Sequence, residues 1–485
     1  MPRLRSHPTP RWDRIALLAL VSAQLIYLGF HLIYGRFIGW DEIGYKAVGR
    51  AWAETGRWIA PELEGAYWPL AWRCRPPGPP LYNLAFGLFL REFGLSLRTN
   101  AAFDALIQVA LSWVCFAVAR VLDRDGPSWP AAIAAIAILP LGNPGRPEAM
   151  GMLFGFSGWL LTKREPTSTR HWLAAGALNG LAASTSLAGG VFIGLLVLLR
   201  RTRLRNAAVW IGVSAAVFLP IMLLINWTNL TSASGGMTNM ATAAASRSWR
   251  TLLGGFSLGR SAGWGMVATL VPLVFGWRHR SLWLVPLAIQ LAIPLLFPRE
   301  FYYIFIMSPV MLAIAMNVIR RSPYAALVAT LAFPVYLFAI SRVLLLHVVL
   351  ATLPPDQRIE PNLRLIRSII PKTSTVMTYD YWPALASEYR LFSTDARPPW
   401  QAVDYIVLTG NGSGTPGQRQ SMSDDHDEHV RHEYKVIVDR LNRQPFHLGP
   451  IHTNSAYGFG PLILERIRRP GESNESAHVR TVCWP

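Results

Sequence analysis

Eleven apolar runs of 13 to 27 residues, separated by polar or basic stretches, constrain this chain more than any motif it carries. A helix of about twenty apolar residues crosses the roughly 30 Å hydrocarbon layer of a bilayer, whereas a globular core is built from shorter, periodically interrupted segments. The runs fall at 15–35, 101–122, 129–141, 149–162, 172–185, 187–199, 207–227, 264–277, 281–297, 302–319 and 323–349. Several are short for a full crossing. The pairs bracketing Gly142–Glu148 and Ser184–Ser186 also read as tight hairpins or partial re-entrant helices. The fold class is therefore an all-α polytopic membrane protein. Only 15% of the 485 residues are charged, against about a quarter in soluble domains.

Charge orients the spans. With a cytoplasmic start, the short inner loops are DRDGPSW, TKREPTSTRHW, RRTRLR, WRHR and IRRSP, four of them clearly basic, while GNPGRPE, STS and PRE face outward. That is the positive-inside pattern. It places 36–100, 228–262 and 351–485 on the outer side of a cytoplasmic (inner) membrane. The net charge of +18 is thereby explained by topology and anionic lipid, and no nucleic-acid partner is needed. MPRLRSHPTPRWDR is basic and leads into a run ending FHLIYGRFIGW with no small-residue cleavage site, so the first span is read as uncleaved. From about residue 351 the chain turns polar and carries β-like runs, TVMTYDYW, DYIVLTG, EYKVIVDRL and GPLILERI. They indicate a small α/β domain over 351–485 after a membrane domain over 1–350. Of three cysteines, Cys115 lies in an apolar run; Cys74 and Cys483 fall on the outer side, either bridged or free.

The outer loops hold the candidate chemistry. In GWDEIGYKAVGRAW, Asp41 and Glu42 follow the first span directly, so two adjacent acids sit at the membrane surface. Such acids are used or paired; Lys46 and Arg50, one and two helical turns on, are the available partners. In AYWPLAWRCRPPGPPLYNLAF, the Pro-rich turn cannot be helix interior and presents Arg73 and Arg75 ahead of Tyr82. Guanidinium groups suit phosphate oxygens, and equally lipid headgroups. GRPEAM places Arg146 beside Glu148 at the start of a span, where an acid also offsets the helix dipole. FPREFYY puts Arg299 and Tyr302 at an outer span end, among ordinary interfacial aromatics. Asn226 and Asn229 head sequon-like triplets, and SDDHDEHVRHE in the tail reads as a solvated loop rather than a metal site.

Taken in order, Asp41-Glu42-Ile-Gly-Tyr45, Pro79-Pro80-Leu81-Tyr82, Arg146-Pro147-Glu148 and Arg299-Glu300-Phe301-Tyr302 resemble the GT-C superfamily of polyprenyl-phosphate-sugar-dependent glycosyltransferases. The nearest groups are the bacterial dolichyl-phosphate-mannose-protein mannosyltransferase-like and lipid A aminoarabinose transferase-like enzymes. The resemblance covers about residues 15–350. It departs where the family's basic residue after span five is replaced by STSLAGG, which puts one donor contact in doubt.

The resemblance implies an inverting transfer of a sugar from polyprenyl phosphate to an acceptor hydroxyl of a glycan, lipid or protein at the outer face. It implies Asp41 as base, Glu42 as a helper or structural acid, and Glu148 as the third catalytic acid. Arg73, Arg75, Lys46 and Arg146 become phosphate clamps, and Tyr45, Tyr82, Arg299 and Tyr302 substrate contacts. No cofactor is required, although Asp41 and Glu148 could share a divalent ion, Mg or Mn. The rival is a transporter or flippase of lipid-linked solutes; against it, the span centres hold few ionisable residues, Asp104 and His347 lying near span ends.

Overall fold

The computed structural model describes residues 10–34, 42–63, 79–124, 126–141, 145–163, 168–199, 203–223, 286, 289, 306–321, 359–378, 381–393, 403–409 and 462–466. Their helices are α1 (Pro10–Tyr34), α2 (Glu42–Thr55), α3 (Pro80–Phe93), α4 (Leu97–Leu122), α5 (Trp129–Leu141), α6 (Glu148–Leu161), α7 (Thr169–Thr185) and α8 (Leu187–Leu198). After these come α9 (Leu204–Leu223), α10 (Ser308–Arg321), α11 (Ile359–Ile369) and the short α12 (Trp382–Leu385). Three are long and apolar enough to cross a membrane: Arg11–Ile33, Leu97–Leu122 and Leu204–Leu223. The expected runs at 264–277 and 323–349, and nearly all of 281–297, lie outside the described residues.

Helix ends depart from the apolar runs for local reasons. The first helix begins at Pro10, five residues before its apolar run, because proline is tolerated in the first turn and Asp13 there complements the dipole. Asp13 also accepts the backbone N–H of Ser128 at 2.7 Å. Helices α5 and α8, of 13 and 12 residues, rise roughly 20 and 18 Å at 1.5 Å per residue. Both fall short of a complete crossing. The chain reverses between α7 and α8 at Ser186, whose hydroxyl accepts from Gly189 N, and a Cβ on Gly190 would strike Ala183 at 2.6 Å. The hairpin expected there is present.

By contacts the chain divides into two units, residues 1–32, 79–82 and 102–344, and residues 33–78, 83–101 and 345–485. The main apolar core of the first unit buries Cys115, Phe156, Trp172, Ile193 and Met311, and a smaller cluster packs Leu20 of α1 with Ala132 and Ala135 of α5. Close helix approach needs small residues: a Cβ on Gly176 or Gly180 of α7 would lie 2.7 Å from the carbonyl oxygens of Trp210 and Ser214 on α9. This is the spacing of small residues that lets membrane helices touch backbone to backbone. The outward faces of α1 and α9 are apolar, including Leu18, Leu25, Ile26 and Leu204, as helices facing lipid require. At one end of the unit Asp123 bridges Arg320 (2.6 Å) and Arg321 (2.9 Å). There too Arg124 donates to the Lys163 carbonyl at 2.8 Å. Three loops expected on one side of the membrane thus meet.

The second unit contains α2, most of α3 and a four-stranded sheet. Its strands are β1 (Thr375–Thr378), β2 (Arg390–Phe392), β3 (Tyr405–Thr409) and β4 (Leu462–Arg466), in the order β2-β1-β3-β4. β1 pairs parallel with both neighbours and β4 antiparallel with β3, with Val376 opposite Leu391 and Tyr405. Three strands fall in the anticipated β-like runs; EYKVIVDRL lies outside the described residues. β2 was not anticipated, since three residues are too few for a period-two signal.

Candidate functional site

Two polar groupings emerge, one in each unit. In the second unit Glu42 opens α2 and Lys46 follows one turn later on the same face. The two form a buried ion pair, Nζ to Oε1 2.6 Å. Lys46 Nζ also donates to Asn100 Oδ1 at 2.7 Å, and Asn100 Nδ2 donates to the same Glu42 Oε1 at 2.8 Å. The three groups make a closed ring. The ammonium further lies 4.9 Å from the centre of the Phe86 ring, within range of a cation–π contact. All four residues are buried. Of the two partners open to Glu42 from sequence, Lys46 is the one it takes.

Helix α2 is clamped against α3. Gly49 N donates to Asn83 Oδ1 at 2.8 Å, and a Cβ on Gly49 would lie 2.3 Å from the Asn83 carbonyl oxygen. The next residue, Arg50, donates to the Glu62 carboxylate, to Glu54 at 2.8 Å and to the Ala386 carbonyl at 2.8 Å. Burial alone would lower the pKa of that guanidinium; Glu62 and Glu54 beside it outweigh the burial and raise it.

In the first unit, Tyr82 is buried against Phe103, ring centres 5.5 Å apart, and its hydroxyl donates to Asp104 at 2.9 Å. Arg146 faces Glu148 through a two-pronged contact, Nε to Oε2 3.3 Å and Nη2 to Oε1 3.4 Å. Gly145, at φ +86°, makes the left-handed turn into Arg146, and Glu148 begins α6, where its charge complements the helix dipole.

Of the residues singled out from sequence, Glu42 and Lys46 come together, as do Arg146 and Glu148. Tyr45 is partly exposed on α2, and Tyr82 is fully buried. Asp41, Arg73, Arg75, Arg299 and Tyr302 lie outside the described residues, as do Cys74, Cys483, Asn226, Asn229 and the SDDHDEHVRHE stretch. Asn100, Asn83, Asp104 and Glu62 were not assigned roles. A signal for two of them existed: Asn100, Asp104, Gln108 and Ser112 recur every fourth residue of α4 and all are buried, the period of one helix face. Among the described residues no three His, Cys, Asp or Glu side chains converge as a metal site would need.

No family model and no curated protein sequence matches the chain. Solved structures do share its fold. ArnT from Cupriavidus metallidurans in the apo state matches at 13% identity and TM-score 0.50, over 84% of this chain and 94% of that one. The same protein bound to undecaprenyl phosphate matches at 12% identity and TM-score 0.51, over 93% and 97%. At such identities the likeness is one of fold.

Proposed function

We propose that the chain is an inverting glycosyltransferase that moves a sugar from a polyprenyl phosphate to an acceptor hydroxyl. The site would lie at the outer face of the cytoplasmic membrane. What carries this proposal is the combination of the GT-C fold, shared with a protein whose structure holds undecaprenyl phosphate, with an acidic pair at the junction of α1 and α2. The donor's long tail cannot leave the bilayer, so its sugar has to be met at the surface.

The chemistry asks little acid catalysis of the protein, because the leaving phosphate is already stable as an anion. The acceptor oxygen attacks the anomeric carbon, the bond from that carbon to the phosphate oxygen breaks, and the acceptor proton passes to a base. Asp41 is assigned as that base. Glu42 has its charge met by Lys46, so Lys46 serves the acid pair rather than the donor. Arg73, Arg75 and Arg146 are assigned to the phosphate, whose growing charge preplaced guanidinium groups stabilise; Arg299, Tyr302 and Tyr45 would contact substrate, and Glu148 would orient the acceptor. In this scheme eleven spans carry the site, the N-terminus is cytoplasmic, and residues 351–485 form an outer-face domain.

The test is an assay of purified protein in detergent with radiolabelled polyprenyl-phosphate sugars and a cell-envelope extract as acceptor. A transferase consumes the donor and releases polyprenyl phosphate without a sealed compartment. Consumption of nothing in detergent, with movement of labelled lipid across sealed vesicles, would favour the transporter instead. Comparing envelope glycans by mass spectrometry with and without the gene would then name the sugar and acceptor.

A further inference from the structure

We infer that Asn100 is a positioning residue for the acidic pair. Its amide closes the Glu42–Lys46 ion pair into a ring that fixes the first turn of α2, the turn that Asp41 precedes in sequence. The inference rests on the transferase proposal for its activity arm only.

The three bonds of the ring join one carboxylate, one amide and one ammonium. Glu42 Oε1 accepts from both Lys46 Nζ (2.6 Å) and Asn100 Nδ2 (2.8 Å), while Asn100 Oδ1 accepts from Lys46 Nζ (2.7 Å). One group must therefore donate to the carboxylate and accept from the ammonium at the same time, and a primary amide does both. All three side chains are buried, so water cannot replace a lost member cheaply. Asn100 sits on α4 and the other two on α2, hence the ring ties the start of α2 to a second helix. A lysine used in this way has its N–H groups directed at Glu42, Asn100 and the Phe86 face.

This assignment makes Glu42 and Asn100 exchangeable as a pair. A ring of Gln at 42 and Asp at 100 again holds one carboxylate, one amide and one ammonium. Either single change does not: Asn100→Asp adds a second carboxylate beside Glu42, and Glu42→Gln removes the carboxylate that pairs with Lys46 at 2.6 Å.

The experiment is a double-mutant cycle on the full-length protein, read by melting temperature in detergent and by transfer kinetics. Each single variant should melt lower and lose about 100-fold in kcat, the scale expected for a catalytic group displaced by about 1 Å. The donor KM should stay within about threefold, since the donor contacts are elsewhere. The Glu42→Gln, Asn100→Asp pair should recover melting temperature and bring kcat back to within about tenfold of wild type. Asn100→Gln, which keeps donor and acceptor on a longer arm, should recover part of the rate that Asn100→Leu loses. Recovery of melting temperature without recovery of kcat would overturn the inference, because Glu42 would then act on substrate itself. Recovery of neither would overturn the ring. If wild type transfers no sugar at all, the transferase proposal fails, and the melting-temperature cycle still decides the ring.

Discussion

Trp382 donates its indole N–H to Glu62 Oε1 at 3.3 Å across 320 positions of sequence, tying the tail to the segment that follows α2. The same carboxylate takes a charge-assisted bond from Arg50, and the Ser393 backbone N–H donates to the Glu62 carbonyl at 2.7 Å. Glu62 is buried, and its Oε2 has no hydrogen-bond partner among the described residues. The contact therefore depends on the Oε1 side.

That dependence sets an order of damage. Trp382→Phe keeps most of the packing and removes one donor, a loss on the order of 1–3 kcal/mol for a buried acceptor left short. Arg50→Leu strands the Glu62 charge and should cost about 3–5 kcal/mol. In thermal melts in detergent the Arg50 variant should unfold first, and adding Glu62→Leu to it should return part of the loss. If Trp382→Phe proved the worse of the two, the charge network would not be what holds this contact.

Gly49 tests the seating of α2 on α3. A methyl group there would meet the Asn83 carbonyl oxygen at 2.3 Å, and backbone cannot swing aside as a side chain can. Gly49→Ala should cost about 1–3 kcal/mol, the usual range for overpacking, despite alanine's better helix propensity. Gly44, whose added Cβ would meet nothing within 4 Å, is the control: Gly44→Ala should melt at or above wild type. Equal behaviour of the two variants would mean that α2 and α3 are not in close contact.

How far the sequence reached depended on whether a signal was local. The start of α2 at Glu42, the start of α3 at Pro80 and the start of α6 at Glu148 all follow from residues within one turn: acids at dipole ends and proline where no N–H is needed. The Glu42–Lys46 pair was legible for the same reason, being an i,i+4 contact. Asn100 was not, because it lies in another helix 54 positions from Lys46, and polar residues in an apolar run look incidental until their four-residue spacing is counted. Glu62 carries no local signal, because its partners Arg50 and Trp382 are brought to it only by folding. Tyr82 was placed against substrate on a motif; its burial and its bond to Asp104 depend on where α4 runs.

Arg146 and Glu148 should separate by kinetics. Their two mutual contacts are long, 3.3 and 3.4 Å. Arg146→Lys keeps the charge but loses the planar fork that suits phosphate, and should raise the donor KM by about tenfold, or ~1.4 kcal/mol. Glu148→Gln keeps the shape and should lower kcat with little change in donor KM. A donor KM unaffected by Arg146→Lys would take Arg146 out of phosphate binding.

The adjacent acids Asp41 and Glu42 should divide into one that sets the rate and one that sets stability. Glu42 is committed to Lys46 and Asn100, so Glu42→Gln breaks a buried ring and should lower the melting temperature as well as the rate. Asp41→Asn changes one atom in the assigned base. It should leave expression, membrane insertion, melting temperature and donor KM as in wild type, and reduce kcat by about 10²–10⁴-fold, the range that a positioned general base contributes. Stopped-time assays of polyprenyl phosphate release, beside melts of the same preparations, give both quantities. Transfer by Asp41→Asn at the wild-type rate would remove Asp41 from the mechanism; a fall in its melting temperature as large as that of Glu42→Gln would make it a second structural acid.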